Sequence, residues 1–553
     1  MRIFRPVPAS CAAALAIMIA VVWVLAPGVA GDWGRDDYFQ LAFVRMLGSP
    51  WALFVHDHFA PAPGSVFRPL GFASMWLGVE LFGTDYAAHA WCGVALHALV
   101  ALSLYALLRR ARVGGPAAVI ATLLFALHPA TTGTALWWSA RFDVLAALFA
   151  FASLRAAIAY REERTVALLA QALVAALAAM LSKEVGLVAV AALVVQWTHW
   201  AIVEPSQRRR AVISTAAAFA CAIAYFGWRV AVLGTPASGL TGTLPLGDAI
   251  VKGLAEGVRQ MPAYLTFWPR LQMPARTLLV IASVIALVAL VWRRGSWRAD
   301  IALVASGATV LLLPLLLQAP VAALNAQPLD AGQSAVEAAM QSRLYYMGMG
   351  GLAMILAVAF DRVWRGGRSL RRMIVVVLAL FAGFAVGAIS RDDARAFAER
   401  STQNARLAHA AVAAVDALEL PKSSSCHVVF FGIEPPPEWS VFVSMDGVVK
   451  ALDTDLARVG HCWFHASYPT WFFLLPAPVA PAEADPYAPL RLNGHEIPWL
   501  RVGGATVAYL QESRQVDAQA RMAMRFLRWN GSRFADVGAD VAAGRIAVDV
   551  RIP

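Results

Sequence analysis

Apolar runs close to twenty residues long recur from the N-terminus to about residue 390, and no other feature constrains this chain as much. An α-helix needs about 20 apolar residues to cross the hydrocarbon core of a bilayer. Inside that core every backbone N–H and C=O must be satisfied within the segment, so such runs fold as helices. Apolar windows give roughly eleven spans. They fall at 10–27, 85–108, 116–132, 138–159, 165–182, 185–203, 211–233, 275–292, 301–318, 343–360 and 372–390. Composition agrees: 59% of the 553 residues are hydrophobic and only 15% are charged, against about 25% charged in an average soluble chain. A soluble enzyme, a disordered chain and a disulfide scaffold are thereby excluded. The 19 Trp and 30 Pro suit interfacial anchors and broken helices.

The net charge of +11 could suggest nucleic acid, but its placement argues otherwise. With a cytoplasmic N-terminus, the turns at 1–9, 109–115, 160–164, 204–210, 293–300 and 361–372 share one side. They hold about 18 Lys and Arg in roughly 48 residues. The opposite loops, at 28–84, 133–141, 183–184, 234–274 and 319–343, hold about 9 in roughly 134 residues. Basic residues collect on the cytoplasmic side, so the bias sets orientation and puts the nearly neutral stretch 391–553 outside. No nucleic-acid partner is expected. Arg2, Arg5, an apolar core and the small residues Gly28-Val29-Ala30 imitate a signal peptide; ten further spans favour an uncleaved first helix.

Cys11, Cys92 and Cys221 lie in spans and read as small packing residues. Cys426 and Cys462 lie outside, where an oxidising compartment permits a disulfide between them; two separate buried thiols are the alternative. No Cys/His spacing typical of zinc occurs.

The first external loop, 28–84, contains more than connection. Residues 37–48 have helical periodicity, with Asp36 or Asp37 at the N-cap. Residues 69–83 are apolar but short, as for a helix lying in the interface. Loop 234–274 ends in Phe267-Trp268-Pro269-Arg270, an aromatic belt beside a helix breaker. Loop 319–343, rich in Ala, Gln and Pro, reads as a lid or a flexible connector. Beyond residue 390 an Ala-rich helix near 392–419 precedes strand-like runs at His427–Phe431, Val441–Val443, Trp471–Leu475, Thr506–Leu510 and Ile546–Ile552, giving a small α/β domain.

Ionisable residues at a membrane are costly, which marks them for function. Asp36-Asp37 could divide work, one taking a proton and the other holding geometry. His56-Asp57-His58 could bind a metal if it is a strand that puts both imidazoles on one face, or it could be a wet loop. Arg68, in Phe67-Arg68-Pro69-Leu70, could bind a phosphate or snorkel. Arg141 and Asp143 read as a pair close to His128-Pro129. Lys183-Glu184 occupies a tight external hairpin, and Arg343, with Tyr345 and Tyr346, opens the tenth span. Two acids and several cations at one face suit a reaction with an anionic leaving group.

These residues resemble a known family. Gly31-Asp32-Trp33-Gly34-Arg35-Asp36-Asp37 is similar to the acidic motif in the first external loop of GT-C fold glycosyltransferases. The closer likeness is to the transmembrane O-mannosyltransferases that carry tetratricopeptide repeats. Those have a Tyr-Arg-Pro-Leu stretch, similar to Phe67-Arg68-Pro69-Leu70. Their His-Pro and Gly-Arg-Ala-Asp-Val-Leu-Ala stretches are similar to His128-Pro129 and Ala140-Arg141-Phe142-Asp143-Val144-Leu145-Ala146. Their Cys-Lys-Glu and Arg-Tyr-Leu-Tyr resemble Ser182-Lys183-Glu184 and Arg343-Leu344-Tyr345-Tyr346. The matches keep their order across residues 32–350, and no tetratricopeptide repeats follow. The resemblance implies inverting, metal-independent sugar transfer from a polyprenyl-phosphate donor, which is a substrate and not a cofactor. It implies Asp36 as base with Asp37 supporting it, and Arg68, Lys183 and Arg343 on the donor phosphate. His128, Arg141, Asp143, Glu184 and Tyr345 would shape the site.

The expectation is therefore an α-helical polytopic membrane protein of GT-C type, with a transmembrane domain at 1–390 and an extracytoplasmic α/β domain at 391–553. It would sit in a bacterial inner membrane and act on a glycan, lipid or protein acceptor. A flippase for a lipid-linked glycan and an envelope assembly protein are the rivals. The first calls for broken helices with charges at mid-membrane, whereas most charges here lie at the outer edge.

Overall fold

The computed structural model describes residues 9–34, 36–57, 66–234, 246–265, 300–319, 342–366, 369–420, 426–433, 445–466, 491–492, 495–496, 499–502, 505–508 and 524–551. The expected span 275–292, His58, the Phe267–Arg270 belt, strands 441–443 and 471–475, and all but the ends of loop 319–343 lie outside these residues.

The helices run α1 (Ala9–Leu25), α2 (Asp36–Met46), α3 (Pro69–Phe82), α4 (Tyr86–Arg110), α5 (Gly115–Ala126), α6 (Pro129–Leu136), α7 (Arg141–Glu163), α8 (Val166–Ser182), α9 (Leu187–Val203), α10 (Arg208–Leu233), α11 (Leu246–Leu265), α12 (Ile301–Leu317), α13 (Tyr346–Gly366) and α14 (Ser369–Asp416). Among the described residues six helical segments are long and apolar enough to cross a membrane, or seven if the bent α5–α6 pair is one span. α8 and α12 are apolar but shorter, and expected span 372–390 is part of the 48-residue α14. The protein is thus a multi-pass α-helical membrane protein, with fewer full-length spans among these residues than the apolar windows suggest.

The chain divides into two compact units, each discontinuous in sequence. Unit 1 comprises residues 1–30, 49–74 and 87–398, and unit 2 comprises 31–48, 75–86 and 399–553.

In unit 1, α7 and α8 form an antiparallel hairpin whose facing residues are mostly alanine, among them Ala146, Ala147, Ala150, Ala172, Ala176 and Ala179, all buried. Small residues let backbones approach closely, which drives helix association where lipid is as apolar as the side chains. The same logic brings α12 to α13: a Cβ on Gly351 would fall 2.4 Å from the Gly307 carbonyl oxygen. Polar contacts tie other pairs. Gln196 of α9 donates to Ser306 Oγ of α12 at 2.9 Å. Between α4 and α13, Tyr346 and His97 share a 2.7 Å hydrogen bond while His97 Nε2 meets the Ala126 carbonyl at 3.0 Å. Arg110 at the end of α4 pairs with Glu163 at the end of α7, and Arg161 pairs with Glu204 just past α9. These ends meet on one side, as alternate crossing requires.

Unit 2 builds a small α/β fold. β1 (His427–Phe431) is followed by α15 (Met445–Leu452) and then β2 (Trp463–Ala466), with β1 and β2 parallel. β3 (Trp499–Val502), β4 (Ala505–Ala508), β5 (Arg525–Trp529), β6 (Phe534–Asp536) and β7 (Val548–Arg551) follow. One mixed sheet has the order β2-β1-β5-β6, and an antiparallel sheet has the order β4-β3-β7. Val429 and Phe431 of β1, Phe526 of β5, Val502 of β3 and Met524 form a common core. Cys426 and Cys462 form a disulfide that joins the starts of β1 and β2. The α/β expectation holds here.

Candidate functional site

Unit 1 gathers most of the singled-out residues at the ends of its helices. Asp143 lies in the first turn of α7, where the helix dipole favours a carboxylate. Lys183 follows the last residue of α8 with extended backbone, φ −163° and ψ 151°, which stops the helix and turns the chain into a 3-10 turn, Glu184–Gly186. Because α7 and α8 are antiparallel, these two ends meet: Lys183 Nζ donates to Asp143 Oδ1 and Oδ2 at 2.6 and 2.7 Å. Both groups are buried. The expected Arg141–Asp143 pair is therefore replaced by Lys183–Asp143. Residues two apart on a helix do not face each other, and Arg141 instead donates to the Ser74 carbonyl at 3.3 Å, its guanidinium 5.7 Å from the Trp138 ring.

Beside this pair lies a second one. Arg68 precedes α3 and reaches Glu184 Oε2 through Nε and Nη2, both at 3.0 Å. Its guanidinium also lies 5.3 Å from the Phe142 ring. Glu184 is shared: its Oε1 accepts from Arg229 Nη1 of α10 at 3.3 Å. The sequence reading missed Arg229, which is only 1% exposed; a charge one turn from the end of an apolar span was its signal. Five buried or half-buried groups, Arg68, Lys183, Arg229, Asp143 and Glu184, thus form one polar cluster with three cations and two carboxylates.

Gln318, at the end of α12, extends the cluster. It accepts from Lys183 Nζ at 3.4 Å and donates to the Leu344 carbonyl at 3.1 Å. Arg343 stands with Leu344 in the 3-10 turn Ser342–Tyr345, its guanidinium 4.7 Å from the Trp137 ring. Tyr345 is turned away to α11, where its hydroxyl donates to the Gly257 carbonyl at 2.9 Å. Burial is the largest influence on Lys183 and lowers its pKa; Asp143 raises it, the charges on Arg68 and Arg343 lower it, and it settles at about 8.

His128 shapes the backbone. Its Nδ1 accepts from Ala130 N–H at 3.0 Å, capping α6, with Pro129 at the first helical position. Here α5 and α6 bend by 62°. Thr134, Trp137, Trp138 and Arg141 line a small, partly open pocket here. Among the described residues Thr134 Oγ1 and Trp137 Nε1 are buried there without a hydrogen-bond partner.

The remaining singled-out residues fall elsewhere. Asp36 and Asp37 belong to unit 2. Neither is the N-cap, since α2 begins at Asp36 and holds both in its first turn. Asp37 is 2% exposed and accepts from Gly34 N–H at 3.3 Å, while its own N–H donates back to the Gly34 carbonyl at 3.1 Å. Asp36 is half-buried. Trp33 anchors the turn through Nε1 to the Thr84 carbonyl at 3.1 Å, and Tyr38 donates to the Trp33 carbonyl at 2.8 Å. Burial, then the nearby Asp32 and Asp37 charges, hold the Tyr38 phenol well above its usual pKa.

His56 and Asp57 follow a 3-10 turn, Pro50–Phe54, that Ser49 caps, and neither lies in a strand. His58 lies outside the described residues. Among the described residues the one group with metal-ligand spacing is Cys426, His461 and Cys462, and its two sulfurs are joined to each other.

The site defines the class as a multi-pass membrane protein with a buried, cation-rich polar cluster at its helix ends. No family model matches the chain, and no curated protein matches its sequence. Solved structures similar to it include the oligosaccharyltransferase of Archaeoglobus fulgidus tethered with an acceptor peptide, at 13% identity and TM-score 0.45, over 82% of this chain. The match covers 63% of that protein, less than two thirds of its length. ArnT from Cupriavidus metallidurans bound to undecaprenyl phosphate is similar at 11% identity and TM-score 0.43, over 80% of this chain and 84% of that one.

Proposed function

We propose that this protein is a GT-C-type glycosyltransferase that moves a sugar from a polyprenyl-phosphate donor to an acceptor hydroxyl on a glycan, lipid or protein. The observation that carries the reading is the cluster in which, among the described residues, Arg68, Lys183 and Arg229 share the two carboxylates Asp143 and Glu184. A buried site with cations in excess of carboxylates favours an anion, and a lipid-linked phosphate would reach it with its tail still in the bilayer.

In this mechanism the acceptor oxygen attacks the anomeric carbon and the bond from that carbon to the phosphate oxygen breaks. Polyprenyl phosphate leaves with the bonding electron pair, and the anomeric configuration inverts. Arg68, Lys183 and Arg343 stabilise the departing charge. The acceptor proton passes to Asp36, while Asp37, committed to the Gly34 turn, holds the helix start. The roles of Asp36 and Asp37 rest on the motif order in the sequence. No metal is assigned a step. We place the protein in a bacterial inner membrane, its N-terminus cytoplasmic and residues 391–553 periplasmic, from the basic turns alone.

The test uses membranes holding wild type, Asp36→Asn or Asp37→Asn, a panel of labelled polyprenyl-phosphate sugars, native envelope extract as acceptor, and a chelator control. Turnover by wild type that is lost in Asp36→Asn and unaffected by chelator is expected. Failure of folded wild type to consume any donor would overturn the proposal and favour a flippase or an assembly role.

A further inference from the structure

We propose that Arg229 is a positioning residue: by sharing the Glu184 carboxylate it keeps Arg68 net-cationic toward a bound phosphate. The inference rests on the donor reading above. Glu184 is one carboxylate between two guanidiniums, with Arg68 on Oε2 and Arg229 on Oε1. An Arg68–Glu184 pair alone would be closed and neutral, and its carboxylate would repel an approaching phosphate. Adding Arg229 leaves the trio with one positive charge in excess.

The surroundings show that this is a built arrangement. Arg229 is 1% exposed, and its Nε and Nη2 are buried without a hydrogen-bond partner among the described residues. A buried charged group left short of partners is costly, so apolar residues would serve stability better at this place. Its other contact is weak, Nη1 to the Tyr225 hydroxyl at 3.5 Å. The distance to Arg68 is also fixed by packing. Phe67, immediately before Arg68, has its ring centroid 6.1 Å from Tyr225 and 5.8 Å from Trp228, both on α10 with Arg229. Trp228 Nε1 in turn donates to the Phe54 carbonyl at 2.8 Å. The two guanidiniums are therefore held on either side of Glu184 by their own neighbours.

The experiment measures binding of a short-chain polyprenyl phosphate, carrying no sugar, to the full-length protein in nanodiscs by isothermal titration. Melting temperature serves as the control for folding. Arg229→Gln makes the Arg68–Glu184 pair neutral and raises Kd about twentyfold, the loss of one charge at roughly 8–10 Å in an effective dielectric near 20. Arg229→Lys keeps the charge and stays within about threefold of wild type. The double variant Arg229→Gln/Glu184→Gln leaves Arg68 uncompensated and recovers most of the affinity, an outcome that a merely structural Arg229 cannot give. Glu184→Gln alone binds more tightly than wild type and serves where Arg229→Gln does not fold. Wild-type affinity in Arg229→Gln, a double variant weaker than the single one, or weaker binding by folded Glu184→Gln overturns the inference. Absence of binding by wild type overturns the donor reading itself.

Discussion

Asp143→Asn keeps the shape of the side chain and removes the carboxylate facing Lys183. The ammonium lies 2.6 and 2.7 Å from the two oxygens of Asp143. At an effective dielectric near 20 their attraction is about 5 kcal/mol, and desolvation of both groups offsets much of it. Removing one partner of such a pair leaves the other buried and uncompensated, which costs about 3–5 kcal/mol. Lys183 can relieve part of this by losing its proton. Its pKa is already down to about 8, and loss of Asp143 lowers it further. The penalty is therefore largest where wild-type Lys183 is charged, near pH 6, and shrinks by pH 9, where the wild-type ammonium is mostly gone. The assay is unfolding by graded SDS in mixed micelles at both pH values, for Asp143→Asn, Lys183→Met and the double variant. A loss of about 3 kcal/mol at pH 6, smaller at pH 9 and mostly recovered in the double variant, is expected. A pH-independent loss, or one below about 1 kcal/mol at pH 6, would refute the reasoning.

The same lowered pKa sets an alkaline limb. Donor turnover falls as pH rises through about 8, as Lys183 loses its charge, and Lys183→Arg moves that limb out of the measured range. Replacing both Cys426 and Cys462 by Ser reopens a loop with a sequence separation of 36, which should destabilise the C-terminal sheet by about 4 kcal/mol in denaturant unfolding. His409 Nε2 meets Asp32 Oδ2 at 2.9 Å, and that hydrogen bond is the main cause raising its pKa above the ordinary value. Its contribution to stability is present below the ordinary histidine pKa and lost as pH rises through the raised one. NMR titration of His409 checks this, and Asp32→Asn should lower the midpoint.

The described spans were legible because apolar length leaves a chain few options, while the expected span 116–132 runs across His128-Pro129, a cap and a residue that cannot continue the preceding helix, where α5 gives way to α6. β1 was legible from its run of valine and phenylalanine. Partner choice was not. Arg141 is two residues from Asp143 in sequence, whereas Lys183 is forty away, and only the antiparallel α7–α8 hairpin joins them. Arg229 went unnoticed because no local pattern shows that Glu184 lies across from it. The His56–His58 alternation left a strand and a wet loop open, because alternation has meaning only on a strand and the two residues that decide it follow a 3-10 turn begun by Ser49-Pro50.

Arg45, at the end of α2, donates through Nη1 to the carbonyls of Lys450, Ala451 and Asp453 at 2.7–2.9 Å, where α15 ends. Gly447 allows the approach, since a Cβ there would stand 3.2 Å from Phe39 Cα. The helix that begins with Asp36 and Asp37 is thereby fastened to residues more than 400 positions away. A C-terminal deletion is consequently a poor instrument for isolating what that region contributes: it also strips the acidic helix of its fastening. Any chimera built to exchange the C-terminal region has to carry residues 31–48 along with it.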